Sequence, residues 1–388
     1  MKIALLSDCY PPRLGGIETQ VRDLGRHLTE AGHEVHVFTA TPARPGERGR
    51  IASSEHGVCV HRHTLGLPFD LPVNPLLPGQ VRAELADCEV AHVHMGVISP
   101  VATSLAELAL DLGMPTAITW HCVLGRAASA AHRRRGRIAR WQRRGAALSA
   151  VSRLAATRVE HAGAGGPVAV LPNGIDVARW RSGAGGGAGA GVGTDDMGPA
   201  TAEAAAPDSG RVPILSALRF APRKRVRPLL GMLRQVEAVA PGRVAATAYG
   251  DGPLLGLARA LTRGQRDWLD LPGRVPRGRL VTAYAGDGIY LAPARMEAFG
   301  IAALEARTAG LPVVALRDSG VADFITDGVH GLLADNDAGL VAAVGRLVAD
   351  PVLRHRIRDH NRTTPPRQTW PAVLGQVLAE YRRAGARP

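Results

Sequence analysis

Two parallel α/β layers joined by a linker are the architecture this sequence predicts, and three observations predict it. Strand-like apolar runs alternate with helical patterns along most of the chain, the arrangement that lets helices cover both faces of a parallel sheet. The alternation stops at Ser182, where a Gly/Ala tract and then a Thr/Asp/Ala/Pro tract run to Gly210, and it restarts at Val212. With 388 residues, 46% hydrophobic but only 4% aromatic, the chain is long enough for two cores built from aliphatic side chains.

Taken in order, Lys2–Ser7 reads as a buried first strand that runs into Asp8-Cys-Tyr-Pro-Pro-Arg-Leu-Gly-Gly16. An amphipathic helix follows from Ile17 to Ala31, ended by Gly32, and His33–Thr39 is the next strand. Further strands are expected at Val58–His63, Val90–His94, Pro115–Trp120, Ala147–Val151 and Val168–Leu171. Ser182–Gly210 has almost nothing large and apolar to bury and reads as a flexible linker. Beyond it, strands are expected at Val212–Leu218, Val244–Tyr249, Trp268–Leu271, Ile289–Pro293, Pro312–Leu316 and Gly331–Leu333. The last helix, Trp370 to Arg383, carries an apolar face of Val373, Leu374, Val377, Leu378 and Tyr381 that has to dock on something. The expected organisation is therefore a Rossmann-like domain over residues 1–180, a linker over 181–210, a second such domain over 211–365, and a C-terminal helix over 366–388 returning toward the first.

Composition narrows the function. The four cysteines, Cys9, Cys59, Cys88 and Cys122, have no CxxC spacing and read as free thiols, not a disulfide framework or a zinc site. Met1–Ser7 turns polar at Asp8, too early for a secretory h-region, and no apolar stretch reaches the about 20 residues of a membrane span. The expectation is a cytoplasmic protein, peripheral at the inner face of the membrane if its charge is used there. That charge is +13 and uneven: eight arginines and no acid lie between Arg126 and Arg144. Such a cluster attracts phosphate-rich partners. His132–Leu148 reads as a helix with a thin apolar stripe of Ile138, Trp141 and Leu148. Two readings stay open, an interfacial helix on anionic lipid and a solvated helix whose Trp141 packs inward. Nucleic acid is the weaker partner, since no aromatic residues interleave with the charge.

The chemistry concentrates around Glu297 and Glu305, separated by seven residues in Arg295-Met-Glu-Ala-Phe-Gly-Ile-Ala-Ala-Leu-Glu305. Gly300 opens a helical pattern that Gly310 closes, so Glu297 falls on the loop after a strand and Glu305 inside the following helix. Ligands of open parallel sheets sit at this end of the strands. Carboxylates beside a helix N-terminus suit a ligand carrying both phosphate and hydroxyls; two solvated helix glutamates are the alternative. Gly15 and Gly16 precede a helix and would let backbone approach a phosphate, or simply serve a turn. No P-loop and no HExxH occurs, and Gly250-Asp-Gly252-Pro-Leu-Leu-Gly256 is one residue too long for a dinucleotide fingerprint.

Seven pieces in order carry a specific resemblance: Pro-Arg-Leu-Gly-Gly16, Thr-Trp-His121, Leu-Pro-Asn-Gly-Ile-Asp176, Arg219 with Lys224, Tyr-Gly-Asp-Gly-Pro253, Leu-Pro-Gly-Arg-Val275 and the paired glutamates. Apart from the linker, the chain resembles the retaining GT-B glycosyltransferases of family four. The resemblance implies two Rossmann-like domains with parallel sheets facing across a cleft. It implies a nucleoside diphosphate-sugar donor, GDP-mannose or a UDP-sugar, used with retention of configuration and without metal or other cofactor. The implied acceptor is a hydroxyl of a lipid-linked or cell-envelope glycan precursor. By the same resemblance Arg219 and Lys224 clamp the diphosphate and Glu297 faces the donor sugar. Phe299 and Gly300, with Ala298, offer backbone amides, Glu305 holds the ribose hydroxyls, Gly15 and Gly16 approach the phosphate, and His121 contacts the transferred sugar. His63, His92 and His94 read as core histidines, and Asn173, Gly174 and Asp176 as structural. The sequence departs from the family pattern in having Leu218 before Arg219, Arg225 where Lys-Gly is usual, and Asp323 in place of a glutamate. A GT-B epimerase or phosphorylase, and a non-catalytic basic adaptor for membrane or nucleic acid, are the rival readings.

Overall fold

The computed structural model describes residues 1–13, 15–181 and 210–387. The expected linker, apart from Arg181 and Gly210, lies outside the described residues. The chain forms two compact units, Met1–Gly174 with Trp370–Pro388 and Ile175–Thr369. The first unit therefore ends six residues before the expected boundary at 180. Val177–Arg181 is a helix of the second unit, capped by Asp176, whose Oδ1 accepts from Arg179 N at 3.1 Å. Trp180 fixes it there, buried and stacked on Tyr284 at 5.6 Å between ring centroids.

The first unit is built on strands β1 (Lys2–Ser7), β2 (Glu34–Thr39), β3 (Arg48–Glu55), β4 (Val58–Leu65), β5 (Val90–Met95), β6 (Thr116–Trp120), β7 (Ala147–Ala150) and β8 (Ala169–Val170). They lie in the order β3-β4-β2-β1-β5-β6-β7-β8. All neighbours are parallel except β3 and β4. The central strands are buried on both faces, which is why they read as continuous apolar runs. Strand β3 escapes the sequence reading because Arg48-Gly-Arg-Ile-Ala-Ser-Ser-Glu55 neither alternates nor buries much. It exists through its partner: His56 (φ 51°) and Gly57 (φ 79°) make a two-residue turn with both φ positive, the geometry that returns a strand antiparallel to β4. Trp370–Arg383 belongs to this unit, with Trp370, Val373, Val377 and Tyr381 packed into the core of β1, β2 and the helix Gly16–Glu30.

The single helix expected over His132–Leu148 is corrected by the structure. Gly136 adopts φ 59° and splits it into Arg126–Arg135 and Arg137–Arg143, and Leu148 lies in β7. Ile138 and Trp141 are fully buried, with Trp141 tilted against Trp120 at 6.4 Å. Arg140 and Arg144 reach Glu107 and Asp111 at 2.6–3.4 Å. The apolar stripe is core, so it is not available to enter lipid.

The second unit holds β9 (Val212–Ala217), β10 (Val244–Tyr249), β11 (Leu269–Gly273), β12 (Ile289–Ala292), β13 (Val313–Leu316) and β14 (Gly331–Ala334). Their order is β11-β10-β9-β12-β13-β14, all parallel. Its core combines Leu229, Leu233 and Val236 of the helix Val226–Val239 with Leu340, Val344 and Leu347 of the helix Asp337–Ala349. The strand order reverses direction between β9 and β12, the kind of switch point at which open sheets bind ligands. Among the described residues no helix is long and apolar enough to cross a membrane, and the four cysteines are free.

Candidate active site

In the second unit the loop leaving β9 packs on the loop leaving β10. Leu218 N donates to Tyr249 O at 3.0 Å, Phe220 N to Asp251 O at 2.8 Å, and Leu254 N to Phe220 O at 2.9 Å. Gly250 makes the approach possible, since a Cβ there would meet Leu218 O at 1.9 Å, at a φ of 125°. Held in this way, the loop leaves Arg219 exposed and turns Lys224, at the end of a 3₁₀ turn, toward β12. Lys224 Nζ lies 2.6 Å from Glu297 Oε2. Two of the expected site residues, far apart in sequence, thus form one charge-assisted pair.

Arg225 explains the departure from Lys-Gly. It takes φ 60° and ψ 45°, the left-handed conformation that glycine adopts without cost. The side chain offsets the strain: its guanidinium grips both Asp337 carboxylate oxygens at 2.6 and 3.0 Å and donates to Pro293 O at 2.9 Å. The loops after β9 and β12 are thereby braced together next to Lys224.

Glu297 stands on the loop after β12. Its carbonyl accepts from Gly320 N at 2.8 Å, and Gly320 is forced to be glycine, because a Cβ would lie 2.1 Å from Ala298 O. Gly300, at φ 89°, starts the helix Ile301–Ala309, whose first amides have no intrahelical partner. The Phe299 side chain points inward, buried and 5.2 Å from the Phe324 ring, so only its backbone is placed for a ligand. Glu305 lies inside this helix, 6% exposed, with Oε1 2.8 Å from Arg277 Nη2. Arg277 also stands 5.8 Å over the Trp180 ring. The sequence reading missed Arg277: it opens the helix Arg277–Tyr284 and carries no motif, and only the fold brings it to Glu305.

In the first unit, Gly15 precedes and Gly16 begins the helix Gly16–Glu30. The Glu18 carboxylate lies over this N-terminus, so close that a Cβ on Gly15 would meet Oε2 at 2.2 Å, and Arg13 stands 3.7 Å from its Oε1. An acid therefore already occupies the helix end expected to take a phosphate. His121 follows β6, its N–H on Met95 O at 2.9 Å. Its Nε2 lies 3.0 Å from His94 Nδ1, and Asn173 hydrogen-bonds the same imidazole. Burial lowers the His121 pKa to about 4, against the opposing pull of Asn173. His94, read as a core histidine, is buried but is also the ring that holds His121, while Asn173 does more than turn the chain. His92 is held by Tyr381 Oη at 3.0 Å and Thr119 Oγ1 at 2.8 Å, and burial lowers its pKa to about 3. A neutral His121, held by His94 and Asn173, is not placed to supply positive charge. Among the described residues no group of three His, Cys, Asp or Glu side chains is placed to hold a metal ion.

Known proteins repeat this architecture. Residues 14–179 match the family model Glycosyltransferase Family 4, and residues 202–364 match Glycosyl transferases group 1. The chain is 26% identical to a GDP-mannose-dependent alpha-mannosyltransferase of Mycolicibacterium smegmatis, over 98% of this chain and 97% of the relative. It is also 26% identical to a phosphatidyl-myo-inositol mannosyltransferase of Mycobacterium leprae, over 95% and 92%. A D-inositol 3-phosphate glycosyltransferase of Acidothermus cellulolyticus is 34% identical, but over 33% of this chain and 29% of its own length. Among solved structures, Anabaena Alr3699/HepE in complex with UDP and glucose superposes with a TM-score of 0.72 at 18% identity, over 98% of each chain. Two α/β units with parallel sheets, two matching family models and full-length relatives converge: the chain belongs to the group 1 glycosyltransferases and has the GT-B fold.

Proposed function

We propose that the chain moves a hexosyl group, with retention and without metal, from a nucleoside diphosphate-sugar to a hydroxyl of a lipid-linked or cell-envelope glycan precursor. GDP-mannose is the first candidate donor. The observation that carries the reading is the 2.6 Å pair of Lys224 and Glu297, set beside the helix that holds Glu305. The names of two full-length relatives support the donor and the acceptor class, a GDP-mannose-dependent mannosyltransferase and a phosphatidyl-myo-inositol mannosyltransferase. A UDP-sugar is the rival donor, after the UDP in the HepE structure.

In this reading the bond from the anomeric carbon to the diphosphate oxygen breaks while the acceptor oxygen bonds to that carbon. The acceptor proton passes to the departing phosphate. Lys224 and Arg219 stabilise the charge that grows on the leaving group, where fixed cations act most strongly because the charge develops only in the transition state. Glu297 orients Lys224 and accepts from donor-sugar hydroxyls. Glu305 accepts from the ribose diol, and the free amides at the start of the helix Ile301–Ala309 receive phosphate oxygens. His121 bonds a hydroxyl of the transferred sugar as a neutral group. The place of action is the cytoplasmic side of the envelope, where both a nucleotide-sugar and a lipid-linked acceptor are available.

The deciding experiment is donor hydrolysis and thermal stabilisation with UDP-, GDP-, ADP- and TDP-sugars, without added metal. Stabilisation and slow sugar release with GDP-mannose alone are expected. Selectivity for a UDP-sugar overturns the donor choice, and no shift with any of them overturns the transfer reading.

A further inference from the structure

Arg277 breaks a local rule, and its surroundings explain why. It takes the first position of the helix Arg277–Tyr284, where a cation opposes the helix dipole. The guanidinium nonetheless turns inward: Nη2 lies 2.8 Å from Glu305 Oε1, and both side chains are largely buried. The wall around this pair is aromatic. The guanidinium stands 5.8 Å over the Trp180 ring, Trp180 stacks on Tyr284 at 5.6 Å, and Tyr284 meets Tyr290 edge-on at 5.7 Å. All three rings are buried. The column ends at β9, where Tyr290 Oη donates to Ala217 O and accepts from Ala217 N, each at 3.2 Å. Every member belongs to the second unit.

Rings cannot solvate a carboxylate, and Arg277 supplies the compensating charge. A buried pair of this kind is a weak device for stability, because desolvation of the two ions offsets most of their attraction. It is a strong device for geometry. An arginine seated over an aromatic face presents its N–H groups as a fixed fork, which in turn fixes the carboxylate that accepts from them. The pair also stands at the ligand-binding end of the sheet. Arg277 follows β11 and the helix carrying Glu305 follows β12, and strands that run parallel in one sheet deliver both segments to the same, carboxyl end. A cis-diol offers two O–H donors at fixed spacing. A carboxylate locked in one orientation can match both, whereas one free to turn follows whichever donor arrives.

We infer that Arg277 is a positioning residue that makes the donor site select a ribose over a deoxyribose. It acts through Glu305, with Trp180 behind it. The inference rests on the proposed ribose role of Glu305 and adds the residue that gives this contact its selectivity.

The experiment is calorimetric titration of the full chain with GDP, UDP and their 2′-deoxy counterparts, read as the ratio of deoxy to ribo dissociation constants. For the base that binds, the parent should prefer the ribonucleotide by about thirtyfold, the effect of one hydrogen bond to a charged acceptor. Arg277→Met should reduce this preference to about threefold, mainly by weakening the ribonucleotide, and Arg277→Lys should keep more of it. A loosened fold would weaken both nucleotides alike and leave the ratio unchanged. Because Arg277→Met strands a buried carboxylate, the double variant Arg277→Met/Glu305→Gln, which removes both charges, is measured beside it. In Glu305→Gln the preference should already be low, and adding Arg277→Met should lower it no further. The inference is overturned if Arg277→Met keeps the parent's ratio, or if the double variant loses more than Glu305→Gln alone. A parent that binds ribo- and deoxynucleotide equally, or binds none of the four, overturns the ribose role of Glu305 and this inference with it.

Discussion

Lys224 and Glu297 are each other's nearest charge, which makes their substitutions informative in different ways. In the proposed mechanism, Lys224→Ala removes the cation that faces the growing charge of the leaving group and spares most ground-state binding of the nucleotide. The expected result is a fall in kcat of about 10²–10³ with nucleoside diphosphate affinity changed only a few-fold. Steady-state kinetics beside a nucleotide titration separate the two, and an unchanged kcat removes Lys224 from the clamp. Glu305→Ala should do the reverse, weakening nucleotide binding about tenfold through loss of a charge-assisted acceptor. It also leaves Arg277 in a largely buried position without that carboxylate, so Glu305→Gln is the better probe of the diol contact. Equal nucleotide affinity in Glu305→Gln and the parent would refute the ribose role.

Among elements, the β9 and β12 loops show how the site tolerates an unusual residue. Arg225→Ala keeps the left-handed cost of about 1 kcal/mol and deletes the bidentate contact to Asp337, worth about 1 kcal/mol at a half-exposed site. Arg225→Gly deletes the contact but relieves the strain. The alanine variant should therefore melt below both the glycine variant and the parent; in a calorimetric scan, alanine no lower than glycine would show that the left-handed strain costs nothing, and alanine level with the parent that the brace contributes nothing. These loops also mark what the sequence could say. The positions of Lys224, Glu297 and Glu305 follow from strand ends and helix starts, which are written in local apolar runs and glycines. That Lys224 meets Glu297, and Arg277 meets Glu305, depends on β9 lying beside β12 and on the helix Arg277–Tyr284 lying beside Ile301–Ala309, and nothing local encodes either adjacency. The arginine-rich segment differs from its expected single helix for a related reason: Gly136 and the apolar run after Gly145 mark ends that the helical spacing of Ile138 and Trp141 alone does not reveal.

For the whole molecule, the C-terminal helix and the buried histidines meet in one prediction. The chain leaves the first unit at Gly174 and re-enters it at Trp370, so Tyr381, almost at its end, completes a hydrogen-bond row inside the sheet: Tyr381 to His92, His92 to Thr119, and Thr119 to Ser149 at 2.8 Å. The apolar face of this helix was legible because it repeats at helical spacing, whereas the row was not, since it joins residues from three strands and the far terminus. Burial lowers His92 to about 3 and His121 to about 4, and His94 in the same direction. In the unfolded chain these rings titrate near about 6.5. Between these values the unfolded state binds more protons than the folded one, so stability rises with pH and is lost as pH falls below the unfolded pKa. At pH 5 the loss is about 2 kcal/mol for each of His92 and His121. Asp8 acts the other way: burial raises it to about 6 although Val101 and Ala102 donate amides to it, so acidification regains about 1 kcal/mol. The histidines outweigh it. The melting temperature should therefore fall from pH 7.5 to pH 5, and a flat profile would show that the rings are protonated in the fold. Tyr381→Phe leaves Nδ1 of buried His92 without its hydroxyl partner, at a cost of about 1–2 kcal/mol at both pH values. Its melting curve should thus run parallel to the parent's and below it across that range.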